Sequence, residues 1–260
     1  MAIFQPVVLP DPNKILIVDC SFYQGKIDFQ KMKSEGVSGV ILRAGQNLWV
    51  DPKLKENKIL VKEAGLPFGS YWYFDSRVSP SEQSNIWVKA MDNDFGTLGM
   101  FLDLEERYNG SYKGWKNWYD FFEYLKLLLP KNVLIGLYTG YYYFKENAPS
   151  PIFQKNQLEY FHQYPLWIAT YGNAPMIPKP YSSNEWLFWQ FTDKMDGKLF
   201  GANSFELDGN YFNGDLKQWE DFSGSTTTQP PIPPTQKTYP TINNIDITLD
   251  NGEKRLFVKR

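Results

Sequence analysis

The chain has 260 residues, 42% of them hydrophobic, and a formal net charge of −2, so it can bury a large core and lacks the positive charge that nucleic-acid binding requires. It contains one cysteine, Cys20, and one histidine, His162, which excludes an internal disulfide and disfavours zinc or Ser-His-Asp chemistry. We therefore expect no metal, no cofactor and no nucleic-acid partner, and a chemistry that depends on carboxylates.

Apolar, β-branched runs alternate with amphipathic segments in the first part of the chain. One helix start is especially clear, because Ser79, Pro80 and Glu82 supply an N-cap, a proline at the first helical position and an acid three residues after the cap. The pattern predicts strands at 15–21, 39–45, 68–75, 98–105 and 132–140, and helices at 28–35, 51–65, 79–92 and 113–129.

Beyond residue 140 the pattern changes, because three further strands are separated by loops rather than by long helices. These strands are predicted at 165–171, 186–192 and 204–210. Strands that are apolar almost throughout indicate a parallel sheet, and eight of them in one domain favour a closed barrel. The predicted fold is therefore α/β, an irregular (β/α) barrel of TIM type with five βα units followed by three strands.

Polar side chains occur at the predicted carboxyl end of every strand, which is where barrels of this type place their active sites. Four of these strands end in carboxylates, as expected of a lined pocket rather than of a structural rim. The residues at these ends are Asp19, Arg43, Asp75, Asp103 with Glu105, Tyr138, Tyr171, Gln190 and Asp208.

The segment Phe-Leu-Asp-Leu-Glu at 101–105 carries the most specific chemical signal. Residues two apart in a strand point to the same face, so Asp103 and Glu105 are expected side by side. Two neighbouring carboxylates raise the pKa of at least one of them, which allows a carboxyl to act as a general acid near neutral pH. The alternative is that Glu105 and Glu106 simply begin a solvated loop.

Composition divides the chain into three parts. Residues 1–222 are predicted to form the catalytic barrel, and 223–240 a stiff linker rich in Pro, Ser and Thr. Residues 241–260 are predicted to form a short β-hairpin, because two alternating runs flank Asp250-Asn251-Gly252. Since two strands alone are marginal in water, this tail is expected to pack on its own barrel, associate with another copy of the chain or contact another component.

Five segments, each at or near a predicted strand end, resemble the glycoside hydrolase family 25 lysozymes, the Chalaropsis-type muramidases of bacteriophage endolysins and bacterial wall enzymes. The resemblance covers about residues 17 to 212. The segments are VDCSFYQGKIDF at 18–29, DLE at 103–105, WIATY at 167–171, WQ at 189–190 and LDGNYF at 207–212.

The resemblance implies hydrolysis of the β-1,4 bond between N-acetylmuramic acid and N-acetylglucosamine, with bacterial peptidoglycan as the partner. By position, Glu105 is similar to the general acid, and Asp103 to the residue that assists the 2-acetamido group of the substrate as internal nucleophile. A direct nucleophilic role for Asp103 stays open. Asp19 and Asp208 would flank this pair, hold substrate and tune its charge.

Aromatic side chains are candidates for stacking against sugar rings, although core packing explains each of them equally well. These candidates are Tyr71, Tyr73, Tyr138, Tyr171 and Trp189, and the polar candidates for substrate contact are Arg43, Asp75 and Gln190. Trp72 stands where the family often has histidine and could reshape a sugar subsite.

Two other functions remain open at this point. A chitinase-like glycosidase would need further aspartates upstream of Asp103, where this chain has Gly99, Met100, Phe101 and Leu102. A catalytically inactive barrel that binds wall glycan would have no reason to keep four acids in one pocket.

The chain shows neither a basic start followed by an apolar run nor a long apolar stretch, so no signal peptide and no membrane span are expected. This favours an endolysin that leaves the host cytoplasm through membrane lesions made by a separate holin-type protein. The alternative is a secreted enzyme whose signal has been removed.

Overall fold

Eight strands close into a barrel in a computed structural model that describes residues 8–224, 244–248 and 254–258. Going round the barrel, each strand pairs with the next, and β1 closes it by parallel pairing with β2. A two-residue strand, β3 at Trp49–Val50, pairs antiparallel with the last two residues of β2. The barrel strands are β1 Leu16–Cys20, β2 Val37–Gln46, β4 Phe68–Tyr73, β5 Gly99–Leu104, β6 Ile135–Gly140, β7 Leu166–Ala169, β8 Phe188–Asp196 and β9 Glu206–Phe212.

The helices begin and end close to the predicted boundaries in the first four units. The Ser79 side chain accepts a hydrogen bond from the Glu82 amide and Pro80 opens α3, as predicted. Two short helices after β6 and one after β9 were missed, because seven or eight residues give too little periodicity to recognise. The helices are α1 Phe29–Ser34, α2 Leu54–Glu63, α3 Pro80–Met91, α4 Trp115–Leu128, α5 Tyr141–Asn147, α6 Lys155–Phe161 and α7 Leu216–Ser223.

The expectation of an entirely parallel sheet is wrong at one strand, because β9 runs antiparallel to both β8 and β1. Only residues 197–205 connect β8 to β9, and a parallel crossover needs about a dozen residues or more. The amino-terminal half of β9 therefore lies at the same end of the barrel as the carboxyl ends of the other strands. Asp208 reaches that end from the start of its strand.

Aromatic rings fill the barrel at the end away from these carboxyl ends. The Phe101 ring centroid lies 5.6 Å from that of Trp167 and 5.5 Å from that of Phe188, and all three side chains are buried. A second apolar layer lies between the strands and the helices. There Trp72 stacks on Trp87 of α3. Trp72 thus points away from the barrel interior, and the expectation that it shapes a sugar subsite is wrong.

The predicted hairpin in the tail is present as β10 Asn244–Thr248 and β11 Lys254–Val258, which pair antiparallel. Most of the predicted linker, residues 225–240, lies outside the described residues. The expected contact of the tail with its own barrel, with another copy of the chain or with another component, which the family resemblance would make the bacterial wall, stays a prediction. Within the described part of the chain, no helix has the length and apolar character needed to cross a membrane.

A substitution at Gly136 tests how tightly the barrel interior is packed. A Cβ at this position of β6 would lie 2.3 Å from a ring carbon of Phe101, which is itself locked between other rings, and 3.1 Å from the Pro165 carbonyl oxygen. We expect Gly136→Ala to lower the free energy of unfolding by about 1–3 kcal/mol in urea denaturation. Gly172→Ala is the control, because its Cβ would meet nothing within 4 Å. Equal stability of the two variants would contradict this packing.

Candidate active site

Four acidic side chains converge at the carboxyl end of the barrel. Asp19 comes from β1 and Asp103 from β5, where alternation along each strand turns them inward. Glu105 follows directly after β5, and Asp208 lies opposite Asp19 in the register of β9 with β1. The structure therefore brings together all four acids that the sequence predicted to act.

Asp103 and Glu105 form the first pair. Asp103 is 3% exposed, and its Oδ1 has no hydrogen-bond partner within the described part of the protein. Burial, and then the charge of Glu105, raise the pKa of Asp103 well above its usual range, while Arg43 opposes the shift. Burial also raises the pKa of Glu105, with the charge of Asp19 acting in the same direction and Arg107 opposing it. Both carboxyls thus favour the protonated form more than a solvated carboxyl does.

Asp19 and Asp208 form the second pair, because they occupy directly opposed positions of β1 and β9. Oδ2 of Asp19 accepts hydrogen bonds from Nε2 of Gln190 at 3.0 Å and from Nδ2 of Asn210 at 2.9 Å. Burial raises the pKa of Asp19, and these hydrogen bonds oppose the rise. Burial, and then the negative charge of Asp19, raise the pKa of Asp208 well above its usual range.

Gln190 links the acids to two tyrosines at the mouth. Its Oε1 accepts hydrogen bonds from the hydroxyl groups of Tyr138 at 3.0 Å and Tyr171 at 3.2 Å. The Gln190 side chain is 3% exposed, so its first role here is to fix its neighbours. Asn210 is fixed in the same way, because its Oδ1 accepts a hydrogen bond from Nε1 of Trp167 at 2.7 Å.

A cleft of about 830 Å³ opens in front of Glu105. Seven of its lining residues are tyrosines, of which Tyr142 and Tyr171 are 62% and 59% exposed. The sequence predicted Tyr73, Glu105, Tyr138 and Tyr171 of this lining. It missed Arg107, Tyr108, Tyr141, Tyr142, Tyr143 and Met176. The run of three tyrosines directly after β6 was the available signal, because it follows a strand end at the mouth.

Two of the predicted substrate-contacting residues point elsewhere. Trp189 lies between two residues that face the barrel interior, so alternation turns it outward, where its Nε1 donates to the Thr170 carbonyl oxygen at 2.8 Å. Asp75 is fully buried and its two oxygens accept hydrogen bonds from the Arg77 guanidinium at 2.8 and 2.6 Å. Although burial opposes it, this pairing lowers the pKa of Asp75 to about 2.

Arg43 and Tyr71 are not among the residues that line the cleft. Arg43 is 9% exposed and donates from Nη2 to Oε1 of Gln46 at 2.6 Å. Its positive charge opposes the rise in the pKa values of Asp103 and Glu105. Tyr71 packs edge-on against Trp167, and burial followed by the charge of Asp19 raises its pKa well above its usual range.

Among the residues that the structure describes, no group of three or more His, Cys, Asp or Glu side chains is arranged to hold a metal ion. Oδ2 of Asp19 is instead contacted by side-chain amides, from Gln190 and Asn210.

Comparison with known proteins gives consistent matches. The family described as Glycosyl hydrolases family 25 matches residues 18–198. The uncharacterized protein YegX of Escherichia coli (strain K12) is 30% identical over 225 residues, which cover 82% of this chain and 75% of that protein. Lysozyme M1 of Streptomyces globisporus is 24% identical over 219 residues, which cover 78% of this chain and 69% of that protein. The structure of a family 25 glycosyl hydrolase from Bacillus anthracis has a TM-score of 0.67 at 16% identity, covering 86% of this chain and 100% of that one.

We expect the ionised carboxylate of Asp103 to lower the free energy of unfolding of the protein. An acid whose pKa is raised by folding binds its proton more tightly in the folded state, so ionising it destabilises the protein as the pH rises above the unfolded pKa. We expect Asp103→Asn to raise the free energy of unfolding at neutral pH by on the order of 1 kcal/mol, and the gain to shrink toward pH 4.

Urea denaturation at both pH values measures this effect. Asp120→Asn, an identical change at an exposed position of α4, is the control and is expected to alter little. A neutral-pH stability of Asp103→Asn below that of the wild type would contradict the cost assigned to this carboxylate.

Proposed function

Because the chain belongs to glycosyl hydrolase family 25, we propose that it hydrolyses the β-1,4 bond between N-acetylmuramic acid and N-acetylglucosamine in bacterial peptidoglycan. Membership of the family makes the protein a glycoside hydrolase. A relative that is named as a lysozyme supports the narrower choice of peptidoglycan as substrate. The role of such an enzyme is lysis of the bacterial cell wall.

Glu105 is the proton donor in this proposal. It lines the cleft, whereas Asp103 is buried behind it, so Glu105 can reach a glycosidic oxygen. Its raised pKa, caused first by burial and then by the charge of Asp19, keeps a larger share of the carboxyl protonated near neutral pH. This cleft-lining acid with a raised pKa is the observation that carries the proposal.

Asp103 assists the substrate in the proposed reaction. Its Oδ1 is buried and has no partner within the described residues, so a rotation that turns this oxygen into the cleft allows it to accept a hydrogen bond from the N–H of a 2-acetamido group without breaking an existing one. Held in this way, the acetamido oxygen attacks the anomeric carbon while the bond from that carbon to the leaving oxygen breaks. Glu105 gives its proton to the leaving oxygen.

The second step restores the enzyme. Water attacks the anomeric carbon of the cyclic intermediate, and the bond from this carbon to the acetamido oxygen breaks. Glu105, now a carboxylate, takes the proton from the attacking water and returns to its acid form. The acetamido group is regenerated, and no covalent bond between sugar and enzyme forms at any point.

The tyrosines provide the surface on which the glycan lies. Tyr142 and Tyr171 expose their rings on the cleft, and rings of this kind pack against the C–H faces of sugars. Hydroxyl groups from the same tyrosine-rich wall can hydrogen-bond to the sugar hydroxyls. The cleft therefore suits a neutral polymer such as the glycan strand better than a charged ligand.

The activity test is Glu105→Gln, which keeps the shape of the side chain but removes the proton donor. We expect hydrolysis of purified walls, measured by turbidity and new reducing ends, to fall by about 10²–10⁴-fold or more. The control is Glu106→Gln at the adjacent position, where the Glu106 side chain accepts a hydrogen bond from the Tyr108 amide and the Gln oxygen can do the same. We expect this control to keep nearly full activity.

Two results would count against the proposal. Full activity of Glu105→Gln would remove this residue from the mechanism. A wild-type protein that binds walls without producing reducing ends would instead favour the glycan-binding barrel that has lost catalysis.

A further inference from the structure

Two buried side-chain amides meet at one oxygen of Asp19, and this arrangement is not required by the roles given to Asp103 and Glu105. We propose that Asn210 and Gln190 are positioning residues that keep the negative charge of the Asp19–Asp208 pair on Asp19, and that this charge holds Glu105 in its acid form. The inference rests on the proposed function, because it concerns how the proton of the general acid is retained.

The orientation of the Asn210 amide is fixed by its other neighbour. An indole N–H can only donate, so Oδ1 of Asn210 must face Nε1 of Trp167, at 2.7 Å. Nδ2 must then face Oδ2 of Asp19, at 2.9 Å, with the Ile17 carbonyl oxygen at 3.4 Å. Asn210 is 0% exposed and Trp167 1% exposed, so water does not compete for these groups.

Gln190 presents a second N–H to the same oxygen. Its Oε1 is occupied by the hydroxyl groups of Tyr138 and Tyr171, and its Nε2 lies 3.0 Å from Oδ2 of Asp19. An oxygen that faces two N–H donors can accept both hydrogen bonds only if it carries no proton. The two donors therefore keep Oδ2 of Asp19 unprotonated. They also favour the ionised form of Asp19, because a charged carboxylate accepts hydrogen bonds more strongly than the carbonyl oxygen of a neutral carboxyl.

Asp208 then holds the proton that the pair shares. Asp208 lies directly opposite Asp19 in the register of β9 with β1, so the two carboxyl groups are neighbours, and one shared proton relieves their repulsion. In the described ranges of the chain, no side-chain amide donates to Asp208 as Gln190 and Asn210 donate to Asp19. A protonated Asp208 donating to an ionised Asp19 satisfies both groups, and the raised pKa of Asp208, caused first by burial and then by Asp19, agrees with it.

The charge on Asp19 acts on the catalytic acid across the mouth of the barrel. After burial, it is the largest influence that raises the pKa of Glu105. Other charged or titratable groups face Glu105 and the acids beside it from the surrounding elements. They are Arg43 of β2, Tyr71 and Tyr73 of β4, Asp103 of β5, Arg107 of the following loop, Tyr138 of β6, Tyr143 of α5, Tyr171 after β7, Asp193 of β8 and Asp208 of β9.

Asn210→Leu tests the proposal, because leucine has nearly the same shape but donates no hydrogen bond. Without this donor the carboxylate of Asp19 is less stable, so Asp19 takes up a proton at higher pH and loses its charge. The pKa of Glu105 then falls. We expect the alkaline limb of the kcat/KM profile on a soluble peptidoglycan fragment to move to lower pH by about one unit, at fixed ionic strength.

Gln83→Met is the matched control. Gln83 is also a fully buried amide whose oxygen accepts from an indole, Nε1 of Trp72 at 3.2 Å, but its N–H groups donate to backbone carbonyl oxygens rather than to a carboxylate. Its loss disturbs the fold to a similar degree without touching Asp19. We expect its alkaline limb to coincide with that of the wild type.

Two results would overturn the proposal. One is an alkaline limb of the kcat/KM profile that does not move in Asn210→Leu, and the other is a limb that moves equally far in Gln83→Met. If Asn210→Leu does not fold, Gln190→Met removes the second donor to the same oxygen and is expected to shift the limb in the same direction, and an unshifted limb there overturns the proposal as well. An inactive Glu105→Gln together with an unshifted limb would leave the proposed function standing and reject the role of the amides alone.

Discussion

Repulsion among four acids in one partly buried pocket is the constraint on which the rest of the site depends. Neighbouring carboxylates that are partly buried repel each other when all are ionised, so some of them keep a proton near neutral pH. The neighbouring groups decide where those protons lie. Asp19 receives two amide donors, whereas no side-chain amide of the described residues donates to Glu105 at the cleft. This asymmetry separates a fixed charge on Asp19 from a transferable proton on Glu105.

The barrel makes this arrangement possible because it closes. β1 pairs with both β2 and the antiparallel β9, so residues from the start and the end of the chain become neighbours, as Asp19 and Asp208 do. The aromatic filling beneath them excludes water from the floor of the pocket. Burial is the largest influence on the pKa values of all four acids. The protonation of the acids at the mouth therefore depends on how the interior is packed.

The strands, the first four helices and the four acids could be predicted from the sequence, because alternation and strand ends are local patterns. The direction of β9 was missed although the signal was present, because the predicted strands at 186–192 and 204–210 leave only residues 193–203 between them, too few for a typical parallel crossover. Trp189 and Asp75 were assigned to the cleft from position alone, and their actual neighbours decide otherwise. The role of Asn210 was missed because its partner Asp19 lies 191 residues away in the sequence. A neutral amide residue gives no local pattern from which such a contact could be predicted.

Neutron diffraction of the deuterium-exchanged protein at mildly acidic to neutral pH tests the central claim most directly, because it locates the protons themselves. We expect deuterium on the carboxyl groups of Glu105 and Asp208, and none on either oxygen of Asp19. Deuterium on either oxygen of Asp19, with none on Asp208, would contradict the charge assigned to Asp19.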